Sequence, residues 1–238
     1  MSWFNVVSLI STISLFLPII IIFALRLTWY KSFPALLAYY ILVSSHSLFS
    51  ADIIKTDKSF LHYYGLINNF LDAPLMLSFM TYFSQTASFR KRMKLVIPIV
   101  VLFELIVILI YGFNVNAVII ALGPGLLLVL LFSMVFFIHQ TKITVIHQKA
   151  AGKAIISAAL LFAYGGYSFI YVVYYLNKTP YKADTQLVYF LITIFSSILL
   201  AAGVYFERRR VQQLAELKVT REELKVIYGN SGTNTAAS

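Results

Sequence analysis

Residues 61–83 read LHYYGLINNFLDAPLMLSFMTYF, and the fold class turns on whether this run is a core helix of a soluble domain or a crossing of a lipid bilayer. It carries no Lys or Arg and a single acid, Asp72. A hydrocarbon core about 30 Å thick asks for about 20 predominantly apolar residues of helix, and this run is long enough. Its surroundings decide the matter. Runs equally free of basic residues recur at 4–25, 34–51, 95–113, 115–138, 154–176 and 185–206, with short connections that leave no space for a separate soluble domain. Over all 238 residues the chain is 60% hydrophobic and 12% charged, with mean hydropathy +0.84. Soluble domains average about 45–50% apolar and about 25% charged residues, so the solvent of this chain is lipid. The expected fold is an all-α membrane protein, a seven-transmembrane-helix bundle over residues 1–207. A short cytoplasmic amphipathic helix at 208–228 and a disordered tail at 229–238 complete the expected organisation.

The basic residues orient the bundle, because cytoplasmic flanks of spans are enriched in Lys and Arg. Fifteen of the nineteen fall on one side: Arg26 and Lys31, then Arg90, Lys91, Arg92 and Lys94, then Lys142, Lys149 and Lys153, then six from Arg208 to Lys225. The other side holds Lys55, Lys58, Lys178 and Lys182, with Asp52, Asp57 and Asp184 among them. The N-terminus is therefore expected outside and the C-terminus in the cytoplasm. The expected location is the cell membrane, multi-pass, as in a bacterial cytoplasmic membrane. A net charge of +10 would suggest nucleic acid in a soluble chain. Here the charge sits at span ends, so the expected partner is a bilayer with anionic headgroups, and no nucleic acid. The chain has no Cys, which excludes disulfides, thiolate nucleophiles and Cys-ligated metal centres.

An ionisable group at bilayer depth costs about 2.5–3.5 kcal/mol on insertion scales, so each one should turn inward for a reason. Three qualify: His46, Asp72 and Glu104. Asp72 lies near the midplane, and Asn68 and Asn69, four and three positions before it, share its helical face and can donate to it. Pro74 adds a freed carbonyl about one turn back. His46, within Ser44-Ser45-His46-Ser47, is a candidate partner for Asp72; Glu104 has no visible partner in its own helix and receives no role. The sixth span carries Tyr164, Tyr167, Ser168, Tyr171, Tyr174 and Tyr175 at spacings of three and four, and the seventh carries Gln186, Tyr189, Thr193, Ser196 and Ser197. Two such faces can enclose a mostly apolar cleft with a few convergent polar groups, the usual chemistry of a small-molecule pocket. The alternatives are interhelical hydrogen-bond glue for the amides and acid, and an interfacial aromatic belt for Tyr174 and Tyr175. The candidate ligand-binding set is Asn68, Asn69, Asp72, His46, Tyr164, Tyr167, Tyr171, Tyr189 and Thr193. Glycines at 123, 125, 165 and 166 point to close helix approach.

Beyond Phe206, Glu207-Arg208-Arg209-Arg210 marks the membrane exit, and strong helix formers follow. Val211, Leu214, Leu217, Leu224 and Ile227 fall roughly on one stripe, which makes residues 211–227 a candidate surface for a cytoplasmic protein partner, a second copy of the chain or the lipid surface.

The run Leu71-Asp72-Ala73-Pro74-Leu75-Met76-Leu77 resembles the third helix of microbial rhodopsins, where Thr-Thr-Pro-Leu-Leu-Leu follows a carboxylate by about a turn. The count and direction of spans agree too. Asp72 stands where that family has Thr, and the family's carboxylate position corresponds to Asn68. The Schiff-base Lys that the resemblance implies in the seventh helix is missing, since no Lys occurs between Lys182 and Arg208. The resemblance thus implies an opsin-like bundle without covalent retinal, open to a noncovalent lipid or isoprenoid ligand. The Pro-x-Glu motif of heptahelical lycopene cyclases is absent.

The leading functional expectation is a receptor- or sensor-like protein that binds a small, largely apolar ligand within the bundle and signals through its cytoplasmic helix. The rival is a small transporter or a proton or cation pathway using Asp72. An intramembrane lipid-modifying enzyme ranks below both, because neither His-x-x-x-His nor Gly-x-Ser-x-Gly occurs.

Overall fold

The computed structural model describes residues 3–84, 87–147, 151–177 and 182–231, which are helical apart from short turns. In chain order the helices are α1 (Trp3–Ser14), α2 (Phe16–Ala24), α3 (Phe33–Ser50), α4 (Lys58–Met80), α5 (Ala87–Tyr111), α6 (Val115–His147), α7 (Ala151–Tyr171) and α8 (Lys182–Ser231). A 3₁₀ turn, Thr81–Phe83, follows α4, and α7 widens into a π turn at Val172–Leu176.

Among the described residues six segments are long and apolar enough to cross a membrane: Trp3–Ala24, Phe33–Ser50, Phe89–Tyr111, Val115–Ile146, Ala151–Tyr175 and Asp184–Gln213. The stretch at 61–83, expected as a span like the others, is not one of the six. Its helix α4 has 23 residues and is capped by Asp57, whose carboxylate accepts the Ser59 N–H at 3.1 Å. It has the length to cross but not the apolarity, because Asn68, Asn69 and Asp72 lie in its middle. Hydropathy scores a helix as if lipid surrounded it. In the bundle α4 packs against α3, α5 and α6 instead.

Several expected bounds move, each for a local reason. The first span, expected unbroken over 4–25, divides at Leu15. Pro18 has no N–H to give the carbonyl of Ser14, and its ring crowds that carbonyl, so the helix restarts as α2. α5 begins at Ala87, ahead of the run expected from 95, so the basic flank Arg90–Lys94 is helical too. The helix expected separately at 208–228 is the continuation of the last span. α8 runs unbroken for 50 residues, about 75 Å at 1.5 Å per residue, and ends at Ser231 inside the tail expected to be disordered. The rest of that tail, 232–238, lies outside the described residues.

Consecutive helices are neighbours, and α8 packs back on α1 and α2, so the helices close into a ring with α4 also touching α6 across it. α7 and α8 approach most closely. A Cβ on Gly203 would lie 2.8 Å from the backbone nitrogen of Ile156, so only glycine fits there. Gly125 similarly lets α6 rest on Ala73 of α4. The outer surface is aliphatic: Leu95, Leu102, Leu105, Leu109 and Ile110 of α5 are all exposed, Leu109 at 84%. No water-facing helix would be built so, whereas lipid tails solvate that face at no penalty.

One end of the bundle is basic and aromatic. Phe33, Phe79, Tyr82 and Phe83 stack edge-on with centroids 5.3–5.7 Å apart. Over the Tyr82 ring lie the ammonium groups of Lys153, 4.4 Å from its centroid, and Lys31, at 5.3 Å. Arg90 donates to the Ser84 carbonyl at 3.1 Å. The Tyr82 hydroxyl donates to Glu207 Oε1 at 2.5 Å, and Arg210 grips the same carboxylate through Nη2 (2.6 Å) and Nε (3.0 Å). Basic residues from four separate segments therefore meet at one end.

Candidate ligand-binding cavity

Helical spacing assembles the site. On α4, Asn68 and Asn69 each lie about one turn before Asp72, and this polar face meets Tyr39 and Val43 of α3, which are four residues apart. Leu122 and Leu126 of α6, Tyr167 and Tyr171 of α7, Tyr175 of the π turn and Tyr189 of α8 complete the wall. Together with Ile170 of α7 they line a partly open cavity of about 190 Å³.

Asp72 is the acid of that wall. The Tyr164 hydroxyl reaches from α7 and donates to Asp72 Oδ1 at 2.9 Å, so the carboxylate is tied across the bundle rather than along its own helix. The expectation that the amides of Asn68 and Asn69 serve Asp72 needs correction for Asn69. Its Nδ2 donates to the Gly65 carbonyl one turn back, at 2.7 Å. A backbone carbonyl four residues earlier is the acceptor that a helical side chain meets first. The tyrosines are anchored by their hydroxyls. Tyr171 donates to the Ile119 carbonyl at 2.8 Å, and Tyr167 pairs with Thr193 Oγ1 at 3.2 Å. Thr193 in turn donates to the Tyr189 carbonyl at 2.8 Å. The rings that remain to face the cavity stand in two pairs, Tyr167 with Tyr189 (5.5 Å) and Tyr171 with Tyr175 (5.6 Å).

Of the residues expected from sequence, the structure brings Asn68, Asn69, Asp72, Tyr167, Tyr171 and Tyr189 to the cavity wall. Tyr164 and Thr193, each 1% exposed, stand behind it and hold Asp72 and Tyr167 in place. His46 is elsewhere. It stacks on Tyr64 (centroids 6.2 Å apart) and lines a larger vestibule of about 670 Å³ between α1, α3 and α8, with Asp52 and Gln186, so it is no partner of Asp72. The two spaces share Val43 and Tyr189. Glu104 is buried on α5, at 7% exposure.

The sequence reading missed Tyr39, Val43 and Tyr175 as wall residues. Tyr39, Val43 and His46 follow the i, i+4, i+7 pattern of one helical face, a signal that was present but lost among the apolar neighbours. Tyr175 stood on the aromatic stripe of the sixth span with the interfacial belt as its alternative, and it lines the wall from a π turn closed by the Asn177 N–H on the Val172 carbonyl at 2.9 Å.

Gly123 on α6 sets the place of Tyr171. A Cβ there would lie 2.8 Å from the tyrosine hydroxyl and 3.0 Å from the ring carbon bearing it. Gly123→Ala should therefore push the ring off the Ile119 carbonyl and lower unfolding stability by about 1–3 kcal/mol. In a Tyr171→Phe background, which removes the nearest atom, the same substitution should have a smaller effect. A melt in detergent of the four members of this cycle checks both statements.

Set against known proteins, the chain matches no family model, no curated protein and no solved structure.

Proposed function

We propose that α4 is a seventh membrane crossing, that the N-terminus lies outside and the C-terminus in the cytoplasm, and that the protein is receptor-like, binding a small ligand in the Asp72 cavity. The enclosed polar face of α4 supports the seventh crossing, because insertion of Asn and Asp is tolerated when neighbouring helices rather than lipid surround them. The convergence of Lys31, Arg90, Lys153 and Arg210 at one end supports the orientation. The reading of a cell-membrane receptor without covalent retinal rests on one observation above all. Helix α8 supplies Tyr189 to the cavity wall and, without a break, runs on through Glu207 to Ser231. A ligand that shifts Tyr189 acts directly on the helix that leaves the membrane, and one that shifts Tyr167 acts on it through Thr193.

A cavity of about 150 Å³ holds benzene, so about 190 Å³ takes a compact molecule whole. A longer isoprenoid or lipid tail would need Val43 and Tyr189, the lining shared with the vestibule, to move aside. The test is a thermal-shift screen of the detergent-solubilised protein against a lipid extract and a collection of small metabolites. Stabilising fractions should lose their effect on Asp72→Asn, Asn69→Ala and Tyr167→Phe variants that fold normally. If all three variants keep it, the site is abandoned.

The adjacency of vestibule and cavity, which share Val43 and Tyr189 as lining, also favours a second reading, a proton or cation pathway through Asp72. Solute or proton flux into proteoliposomes that Asp72→Asn abolishes would place transport ahead of sensing.

A further inference from the structure

We infer that the Asp72 cavity takes a small organic monocation, an amine or quaternary ammonium with a one-ring or short aliphatic body. This inference rests on the ligand-site reading above and narrows it by charge. Three features of the wall lead to it. The first is an uncompensated acid: among the described residues that line the cavity Asp72 is the only charged side chain, and no Lys, Arg or His joins it there. Its hydrogen bonds to neighbouring helices come from the hydroxyls of Tyr164 on α7, at 2.9 Å to Oδ1, and Tyr39 on α3, and both are neutral contacts that leave the charge unbalanced. A buried carboxylate without a counter-charge is expensive, and an anionic ligand would make it worse.

The second feature is the π surface. Tyr167 and Tyr171 direct their hydroxyls to Thr193 and the Ile119 carbonyl, so what they offer a ligand is ring rather than O–H. With Tyr189 and Tyr175 they form two aromatic pairs on α7 and α8. A cation within about 6 Å of such rings is attracted to their faces, most strongly when desolvated, and a neutral ligand of the same shape is not. The third is the acceptor supply. Asn69 has used an amide hydrogen on the Gly65 carbonyl, and its own carbonyl oxygen remains an acceptor for ammonium N–H groups. The vestibule adds a fourth, long-range element, because Asp52 lines it and attracts positive charge toward a space that shares Val43 and Tyr189 with the cavity.

The experiment uses matched pairs that differ in charge and little else: 2-phenylethylammonium against 2-phenylethanol, and choline against 3,3-dimethylbutan-1-ol. Each is titrated into the full-length protein in detergent, with the melting temperature as readout, on wild type, Asp72→Asn and Tyr164→Phe. In the wild type, at least one cation should stabilise saturably, with its neutral partner at least tenfold weaker. Asp72→Asn should erase that preference by weakening the cation at least tenfold while leaving the neutral partner unchanged. Tyr164→Phe, which keeps the ring and frees Oδ1, should retain the preference, and it guards against an Asp72 variant that fails to fold. Equal saturable binding by neutral partners would overturn the charge assignment while keeping the cavity as a ligand site. An undiminished cation preference in Asp72→Asn would overturn the role given to the carboxylate. No saturable shift from either series would overturn the cation inference as well, and the ligand-site reading would then be decided by the broader metabolite and lipid screen.

Discussion

Arg210→Ala should lower unfolding stability by about 3 kcal/mol, because it strands Glu207, only 1% exposed, with the Tyr82 hydroxyl as its remaining hydrogen-bond donor. Removing one member of a buried ion pair typically costs about 3–5 kcal/mol. The lower end applies here because the Arg210 side chain is 29% exposed and water already reaches it. Tyr82→Phe takes away one charge-assisted donor at 2.5 Å and should cost about 1.5–3 kcal/mol. The informative variant is the double replacement Glu207→Leu with Arg210→Met. Exchanging a whole buried pair for apolar residues of similar size is often neutral, so this protein should melt close to the wild type although both its charges are gone. Denaturation in a single detergent under matched conditions measures all of these. Wild-type stability in Arg210→Ala would show that the carboxylate finds its compensation elsewhere.

Gly152→Val and Gly203→Val should be at least as damaging, with losses of about 3 kcal/mol or more, at or beyond the upper end for overpacking. The two glycines face opposite partners. Gly152 of α7 lies against the backbone of Glu207 on α8, and Gly203 of α8 lies against Ile156 on α7, where a Cβ would sit 2.7 Å from Cγ1 and 2.8 Å from the backbone nitrogen. Backbone does not rotate out of the way, so the helices must separate. Small residues at such crossings let helix backbones meet, and packing is what holds helices together in lipid. Even Gly203→Ala, which helix propensity favours by about 1 kcal/mol, should destabilise. A rise in melting temperature for that variant would mean that the two helices are less closely apposed than the glycine geometry requires. Separation of α7 and α8 would also pull Glu207 from Tyr82, so these variants and Arg210→Ala should combine with less than additive loss.

How far the chain could be read in advance depends on the range of the forces involved. Helix content, the aliphatic α5 and the clustering of Arg90 to Lys94 at a helix end are local properties of composition and period, and they were legible. So was the polar triad on α4, because residues one turn apart must share a face. The break at Leu15 was legible in principle, since Pro18 acts only four residues away. The partner of Asp72 was not. Whether the acid would meet His46 or Tyr164 depended on how α3 and α7 are rotated, and a helix turned by one residue presents a face 100° away. Glu207 shows the same divide: its pairing with Arg210 three residues on is a helical rule, but its bond to Tyr82 joins positions 125 residues apart.

Composition and periodicity, then, were enough to establish a lipid-solvated helical protein with a small set of inward polar groups, because hydrophobic partition and helix geometry act residue by residue. Which of those groups share a chamber, which stand behind it and which open to the vestibule was decided only when the helices packed. Packing is a matter of steric fit between distant segments, in which one glycine at 123 or 203 sets a separation that no local pattern encodes.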